Sequence, residues 1–85
     1  MEPYDLLIHD DALDLLRKIR GKNRKIIRDF LNLIPDNPFI DTELEYEDIK
    51  GRLVSKIHLG DYIIDFIVDH AVTEIKVISI SRFSR

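Results

Sequence analysis

Several residue types are absent or scarce in this sequence. Cysteine is absent, which excludes disulfide bonds and thiolate zinc sites and is typical of the reducing cytoplasm. No apolar stretch approaches the roughly 18 to 20 residues of a membrane-spanning helix, and the acidic N-terminus is not typical of a signal peptide. The three histidines, His9, His58 and His70, do not have the spacing of metal ligands. We therefore expect a cytoplasmic protein with no metal, no cofactor and no contact with a membrane.

Charge is unevenly distributed along the chain. The formal net charge is −3, and the acids concentrate in residues 2–14 and 36–48, on either side of a basic segment. The basic residues of that segment are Arg17, Lys18, Arg20, Lys22, Arg24, Lys25 and Arg28. Two interpretations remain open, a solvated helical surface or a contact surface for a polyanion or an acidic partner.

The first half of the chain predicts one strand and two helices. Residues 4–8 have the composition of a short strand. Apolar residues then recur at helical spacing over residues 12–19 and 26–34, so two closely packed helices are expected. Capping and helix-breaking preferences identify the residues that begin and end these helices as Asp10 or Asp11, Gly21, Pro35 and Pro38.

The second half predicts strands. From Arg52 onward apolar and polar residues alternate, and turns are expected at residues 60–61 and 69–71. Residues 36–49 are acidic and irregular, and they form either a loop or an edge segment. The predicted order is β-α-α-β-β-β in a single domain, residues 1–85. This is an α+β fold in which a two-helix hairpin packs on an antiparallel sheet.

A two-residue turn at 60–61 determines which residues of its strands lie opposite each other. Counting outward places Lys56 opposite Asp65, and it places His58 opposite Ile63. These four residues share one face, because side chains alternate between the faces of a sheet. A register shifted by one residue would bury Lys56 and Asp65. The other face, expected to pack on the helices, carries Ser55, Ile57, Leu59, Tyr62, Ile64 and Phe66.

Lys56, His58 and Asp65 together have two interpretations. One is a solvent-exposed ion pair between Lys56 and Asp65 that contributes about 0.2 to 1 kcal/mol. The other is an acid–base cluster, because an imidazole exchanges protons near neutral pH, a carboxylate can orient it and a lysine can hold a phosphate. RNA cleavage by attack of a 2′-hydroxyl needs a base, a cation and an acid of this kind.

The segment from Lys56 to Tyr62, followed by Ile64 and Phe66, resembles the central motif of the RelE/ParE superfamily, the toxins of type II toxin–antitoxin pairs. That motif is a basic strand, a Gly-Asp-Tyr-Arg turn and a strand that ends near an aromatic residue. The first strand with its acidic, Leu-rich helix, the basic second helix before Asn37-Pro38 and the strand from Val77 to Arg82 are also similar to the superfamily. The resemblance covers nearly the whole chain and implies a RelE/ParE-like toxin domain.

The resemblance also implies a function and a set of functional residues. In the mRNA-cleaving branch, two basic residues of the first long strand contact and cleave RNA, and Lys56 and His58 occupy those positions. Arg82 is the best match for a further catalytic residue at the scissile phosphate, and Arg52 and Arg85 are expected to bind RNA or phosphate. The implied activity is that of a ribosome-dependent mRNA interferase that inhibits translation without a cofactor.

Partners follow from the same resemblance. It implies an antitoxin encoded by the adjacent gene, which forms a hetero-oligomer with this chain, and it implies the ribosome with its mRNA as the target. The expected antitoxin contacts are the exposed edge strands and the arginines of the helical hairpin. These arginines are Arg17, Arg20, Arg24 and Arg28.

The catalytic pattern is degenerate at two positions. Ile63 stands where the superfamily has an arginine after Gly-Asp-Tyr, and no C-terminal tyrosine follows the last strand before Arg85. Loss of a transition-state cation or a general acid typically lowers the rate by about 10² to 10³. The alternative functions are therefore a non-catalytic ParE-like inhibitor of DNA gyrase and an attenuated homologue that retains only antitoxin binding.

Overall fold

The structure, a computed structural model, describes residues 2–83. Within this range the chain forms two α-helices and five strands, and neither helix is long and apolar enough to cross a membrane. The elements are β1 Asp5–Ile8, α1 Asp10–Lys18, α2 Gly21–Leu33, a 3₁₀ helix Ile34–Asp36, β2 Leu44–Glu47, β3 Leu53–Leu59, β4 Tyr62–Asp69 and β5 Glu74–Arg82. The predicted α+β fold is confirmed, and the acidic segment that the sequence left open contains an additional strand, β2.

Two helix boundaries differ from the expected ones. His9, rather than an aspartate, is the N-cap of α1, because its Nδ1 accepts a hydrogen bond from the backbone N–H of Asp11 at 3.3 Å. Asp10 and Asp11 lie in the first turn, where their charge interacts favourably with the helix dipole. Gly21 does not end α1 but begins α2 with φ 66°. Glycine adopts this positive φ without strain, so it permits a sharp reversal between the helices.

The sheet has the strand order β1-β5-β4-β3-β2. The pairs β2–β3, β3–β4 and β4–β5 are antiparallel, whereas β1 runs parallel to β5 with Ile8 opposite Val77. The sheet is therefore mixed rather than antiparallel throughout. Parallel neighbours require a crossover connection of about a dozen or more residues, and the helical hairpin is the first part of the long connection between these two strands.

The helices cover one face of the sheet and form the core with it. The rings of Phe30 and Phe66 lie 5.8 Å apart between centroids, and Ile27 and Ile64 are fully buried in the same cluster. Full burial of side chains of this size contributes about 1.5 to 3 kcal/mol each. We call the opposite face, away from the helices, the open face.

The predicted register of the β3–β4 hairpin is confirmed, with Lys56 opposite Asp65 and His58 opposite Ile63. The β4–β5 pairing contains a bulge between Asp65 and Phe66. A bulge adds one residue to one strand and resets the alternation of its side chains. This explains why Val77 and Ile80, an odd number of positions apart, are both buried in the core.

Candidate functional site

The β3–β4 hairpin turns at Gly60 and Asp61, and α2 braces this turn. Gly60 has φ 62°, in the left-handed region that favours glycine. Asn23 of α2 binds Asp61 twice: its Oδ1 accepts from the backbone N–H at 3.0 Å, and its Nδ2 donates to Oδ2 at 3.0 Å. These bonds fix the end of the hairpin that carries Lys56 and His58 relative to the helix.

Lys56 and His58 both lie on the open face, as predicted. The side chain of Lys56 is 32% exposed and that of His58 is 41% exposed, so both are accessible from solvent. Residues two apart on a strand are about 7 Å apart along it. A single phosphodiester group is therefore able to contact the ammonium group and the imidazole together.

Lys56 belongs to a three-residue cluster with Asp65 and Tyr46. Its Nζ lies 4.0 Å from Asp65 Oδ1 and 5.5 Å from the centroid of the Tyr46 ring. The Tyr46 hydroxyl donates a hydrogen bond to Asp65 Oδ2 at 2.8 Å. Burial and this bond to the Asp65 carboxylate raise the pKa of Tyr46. The predicted Lys56–Asp65 pair is confirmed, and Tyr46, on the unpredicted strand β2, completes it.

Asp65 is the most enclosed charged group of this cluster. Its side chain is 14% exposed, and its buried Oδ1 accepts no hydrogen bond from residues 2–83. This oxygen therefore has Lys56 Nζ, at 4.0 Å, as its ion-pair partner. Asp65 therefore reduces the positive charge that Lys56 presents on the open face.

His58 is held by Glu43 and not by Asp65. Its Nδ1 lies 2.7 Å from Glu43 Oε2, and its backbone N–H donates to Glu43 Oε1 at 3.1 Å. The hydrogen bond with the ring, followed by the one from the backbone, lowers the pKa of the Glu43 carboxyl group. The expectation that Asp65 orients the imidazole was wrong, because Tyr46 and Lys56 occupy that carboxylate. Glu43 lies just before β2, and its pairing was not evident from the sequence.

Phe83 lies beside the His58 ring. The two ring centroids are 4.9 Å apart, and the ring planes meet at 81° in an edge geometry. The backbone N–H of Phe83 donates to the carbonyl oxygen of Asp61 at 2.7 Å, which joins the end of β5 to the hairpin turn. His58 thus has a carboxylate at Nδ1 and an aromatic ring at its side, and its Nε2 has no hydrogen-bond partner among residues 2–83.

Arg82 is not brought to the same face as Lys56 and His58. It lies opposite Tyr62, whose side chain packs against the core. Directly paired residues share a face of the sheet, so Arg82 belongs to the helix-covered face. It is the last residue of β5, and it is exposed there. The residue of β5 that shares the face of His58 near the turn is Ser81.

Arg52 is engaged by Asp48 in the turn before β3. Asp48 Oδ1 accepts the backbone N–H groups of Lys50 and Arg52 at 2.9 Å each. Its Oδ2 accepts from Nε of Arg52, and Nη2 also lies 2.8 Å from it. These bonds, the one from the Arg52 backbone above all, lower the pKa of Asp48. Arg52 therefore has a structural partner already, and Arg85 lies outside the described residues.

The arginines of the helical hairpin lie on the other side of the sheet from Lys56 and His58. Arg17 pairs with Asp14 at 3.9 Å, and Nη1 of Arg24 donates to the carbonyl oxygen of Ile19 at 3.4 Å. Arg24 and Arg28 border a cavity of about 220 Å³, which is also lined by Leu6, Ile8, Leu16, Leu31 and Asn32. All of the predicted contact arginines are exposed, namely Arg17, Arg20, Arg24 and Arg28. They form a surface separate from the Lys56–His58 site.

The chemistry that this arrangement offers is proton transfer and charge stabilisation. The imidazole of His58 has a free ring nitrogen, and Lys56 supplies a cation. Among residues 2–83, no group of three or more histidine, aspartate and glutamate side chains is arranged to hold a metal ion. The neighbouring acids are Glu43, which contacts the imidazole, and Asp65, which contacts the lysine.

Comparison with known proteins gives matches of structure only. No protein-family model matches the sequence, and no curated protein matches it. The archaeal RelE–RelB complex from Pyrococcus horikoshii OT3 matches with a TM-score of 0.82 and 17% identity, over 98% of each chain. The isolated E. coli RelE toxin matches with a TM-score of 0.79 and 24% identity, over 96% of this chain and 86% of that one. The intact E. coli RelBE toxin–antitoxin complex gives 0.73 and 23%, over 96% and 99%.

These matches extend over nearly the whole chain in each case. The similarity that the Lys56 to Tyr62 motif indicated is therefore confirmed at the level of the three-dimensional structure. The chain has the fold of the RelE toxins.

Proposed function

We propose that this chain is the toxin of a type II toxin–antitoxin module and acts in the cytoplasm as a ribosome-dependent mRNA interferase. The RelE fold supports the toxin assignment. The observation that supports the proposed activity is the placement of Lys56 and His58 next to each other on the open face of β3. These are the positions at which the mRNA-cleaving toxins that this sequence resembles have their basic residues.

In this reaction Nε2 of His58 removes the proton of a ribose 2′-hydroxyl. The 2′-oxygen attacks the adjacent phosphorus, and the bond from phosphorus to the 5′-oxygen of the next nucleotide breaks. The products are a 2′,3′-cyclic phosphate and a 5′-hydroxyl end, with the leaving oxygen protonated by water. Lys56 stabilises the additional negative charge on the phosphorane in the transition state.

A cell-free translation extract tests this activity. Adding the purified chain should stop protein synthesis and produce mRNA fragments with 5′-hydroxyl ends. We expect His58→Ala to lower the cleavage rate by about 10² to 10⁴, because a general base typically contributes that much. Lys50→Ala is the matched control for Lys56→Ala, because Lys50 is an exposed lysine in the turn before β3. Undiminished cleavage by the His58→Ala, Lys56→Ala double variant would show that the mechanism is wrong.

The proposed partner is an antitoxin encoded by the adjacent gene, bound in a hetero-oligomer. Two of the similar structures are complexes of RelE with RelB, which supports this proposal. The cavity of about 220 Å³ that Arg24 and Arg28 border forms a groove with apolar and basic lining residues. Such a groove suits an amphipathic segment with acidic side chains. Edge strand β1 lies next to it through Leu6 and Ile8.

Charge reversal tests the antitoxin surface. The chain and the product of the adjacent gene should purify together, and the Arg24→Glu, Arg28→Glu double variant should weaken the complex. Lys25→Glu is the control, because Lys25 is exposed on the same helix but does not line the groove. Equal affinity of both variants for the antitoxin would exclude this groove as the contact surface.

Asp65 favours a second candidate function. Its carboxylate lies 4.0 Å from Nζ of Lys56 and offsets the charge that phosphate binding needs, and Ile63 adds no cation. A ParE-like inhibitor of DNA gyrase or an attenuated toxin does not need a catalytic cation. Filamentation and a DNA-damage response with intact translation would indicate gyrase as the target. Absence of toxicity with antitoxin binding retained would indicate the attenuated form.

A further inference from the structure

We propose that Glu43 is a positioning residue that fixes the His58 ring with Nε2 free to act as the base. This inference rests on the proposed ribonuclease function. The carboxylate of Glu43 makes two hydrogen bonds with His58. Oε2 binds Nδ1 of the ring at 2.7 Å, and Oε1 binds the backbone N–H of the same histidine at 3.1 Å.

The first consequence concerns the tautomer of the imidazole. An ionised carboxylate only accepts hydrogen bonds, so Nδ1 of His58 must carry the proton in this contact. The proton of a neutral ring is then on Nδ1, and the lone pair of Nε2 is available. A base at Nε2 is what the attack of a 2′-hydroxyl requires.

The second consequence concerns the orientation of the ring. A contact to the ring alone would leave His58 free to change its side-chain torsions, since exposed ion pairs restrain geometry only weakly. The additional bond to the backbone fixes the carboxylate relative to β3 itself. Phe83, 4.9 Å away between ring centroids, restricts the ring from another side. The imidazole therefore has one defined plane.

Strand β2 is the element that delivers Glu43. Leu44, the first residue of β2, lies opposite Lys56, so Glu43 comes at the end of the pairing, level with Ile57. From there its carboxylate reaches the neighbouring residue, His58. The chain thus uses an exposed edge strand and the residue before it for two contacts on the open face, Glu43 to His58 and Tyr46 to Asp65. Glu43 contacts His58 directly, and Tyr46 contacts the carboxylate that is paired with Lys56. The two side chains proposed to act on RNA are therefore both affected by this segment.

The test combines a spectroscopic measurement with kinetics on the full chain. Ring ¹⁵N spectra of neutral His58 should show the Nδ1–H tautomer in the wild type and a mixture of tautomers in Glu43→Ala. In Glu43→Ala, the kcat for mRNA cleavage on programmed ribosomes should fall about 10²-fold with little change in KM, because misplacement of a catalytic group has effects of this size. Glu43→Gln, which keeps an acceptor oxygen, should restore part of the Nδ1–H tautomer population and part of kcat.

Glu45→Ala is the matched control. Glu45 is an exposed acid two residues after Glu43, in β2, and it lies opposite Ser55 on the other face. It should leave the tautomer and the kinetics unchanged. A wild-type chain that does not cleave mRNA overturns the proposed function and, with it, the positioning role of Glu43 in catalysis. An active chain in which Glu43→Ala leaves either the tautomer or kcat unchanged overturns the Glu43 proposal alone.

Discussion

Lys56 and Asp65 lie directly opposite each other on β3 and β4, with Nζ 4.0 Å from Oδ1. The other oxygen of the carboxylate accepts the Tyr46 hydroxyl at 2.8 Å. The cation proposed to bind phosphate therefore shares its surface with an acid that is held in place by a hydrogen bond. Position 65 should control how strongly this face attracts RNA.

We expect Asp65→Asn to strengthen binding to ribosomes programmed with mRNA by about five-fold at low salt. Two unit charges about 4 Å apart in water interact by about 1 kcal/mol, and we take the repulsion between Asp65 and a phosphate bound at Lys56 to be of this order, so its removal corresponds to about five-fold. The difference should shrink as salt is added, because salt screens exposed charges. Glu47→Gln, which removes an acid opposite Leu53, is the control. Unchanged or weaker binding of Asp65→Asn would contradict the role assigned to this pair.

Tyr46→Phe should lower the free energy of unfolding by about 1 to 2 kcal/mol, because it removes a hydrogen bond to a charged acceptor. The pKa of Tyr46 is raised in the folded state. The stabilisation is therefore present below the ordinary tyrosine pKa of about 10 and is lost as the pH rises through the raised value. Urea denaturation of both proteins at neutral and alkaline pH measures this. A difference between them that stays constant at high pH would argue against the Tyr46–Asp65 bond.

Asp48→Asn should lower the melting temperature at neutral pH, because an amide cannot replace the carboxylate in its bonds to Arg52. The pKa of Asp48 is lowered in the folded state. The stabilisation is thus present above the ordinary aspartate pKa of about 3.9 and is lost as the pH falls through the lowered value. Melting curves of the wild type and the variant should converge in acid. Asp41→Asn, at an exposed position, should show no comparable change.

Gly60→Ala should destabilise the protein more than Gly21→Ala. Both glycines have a positive φ, 62° and 66°, so alanine introduces backbone strain of about 1 to 2 kcal/mol at each. Nothing lies within 4 Å of a Cβ added at Gly21, whereas a Cβ at Gly60 would collide with Oδ1 of Asn23. The additional loss should be about 1 kcal/mol, the contribution of the hydrogen bond that Asn23 Oδ1 accepts from the backbone N–H of Asp61. Equal losses in urea denaturation would show that Asn23 does not brace the turn.

The hairpin was predictable because local and long-range preferences agree there. Gly60 supplies the positive φ of the turn, and only one register keeps Lys56 and Asp65 out of the core. The same alternation placed His58 beside Lys56 on the open face. The two helices and the order of the predicted strands likewise followed from the periodicity of the apolar residues, and the resemblance to the RelE/ParE superfamily agreed with this order.

Features that depend on distant pairing were not predictable. Residues 44–47 are exposed along their whole length, so their sequence carries no pattern of burial, and β2 forms only because β3 offers an unpaired edge. Glu43 follows from that pairing. The parallel contact of β1 with β5 likewise leaves no local signal. Gly21 suits the end of one helix or the start of the next, and the local sequence favours neither.

The position of β5 in the sheet determines when folding can be completed. It lies between β1 and β4 in the sheet, although it follows the other four strands in the chain. During synthesis, before β5 has been made, β1 and β4 each have an edge without its partner strand. The core then also lacks Ile75, Val77 and Ile80, which β5 supplies. Such nonlocal pairing forms late. A nascent chain thus lacks a continuous five-stranded sheet until β5 emerges, and any function that needs this sheet is delayed until then.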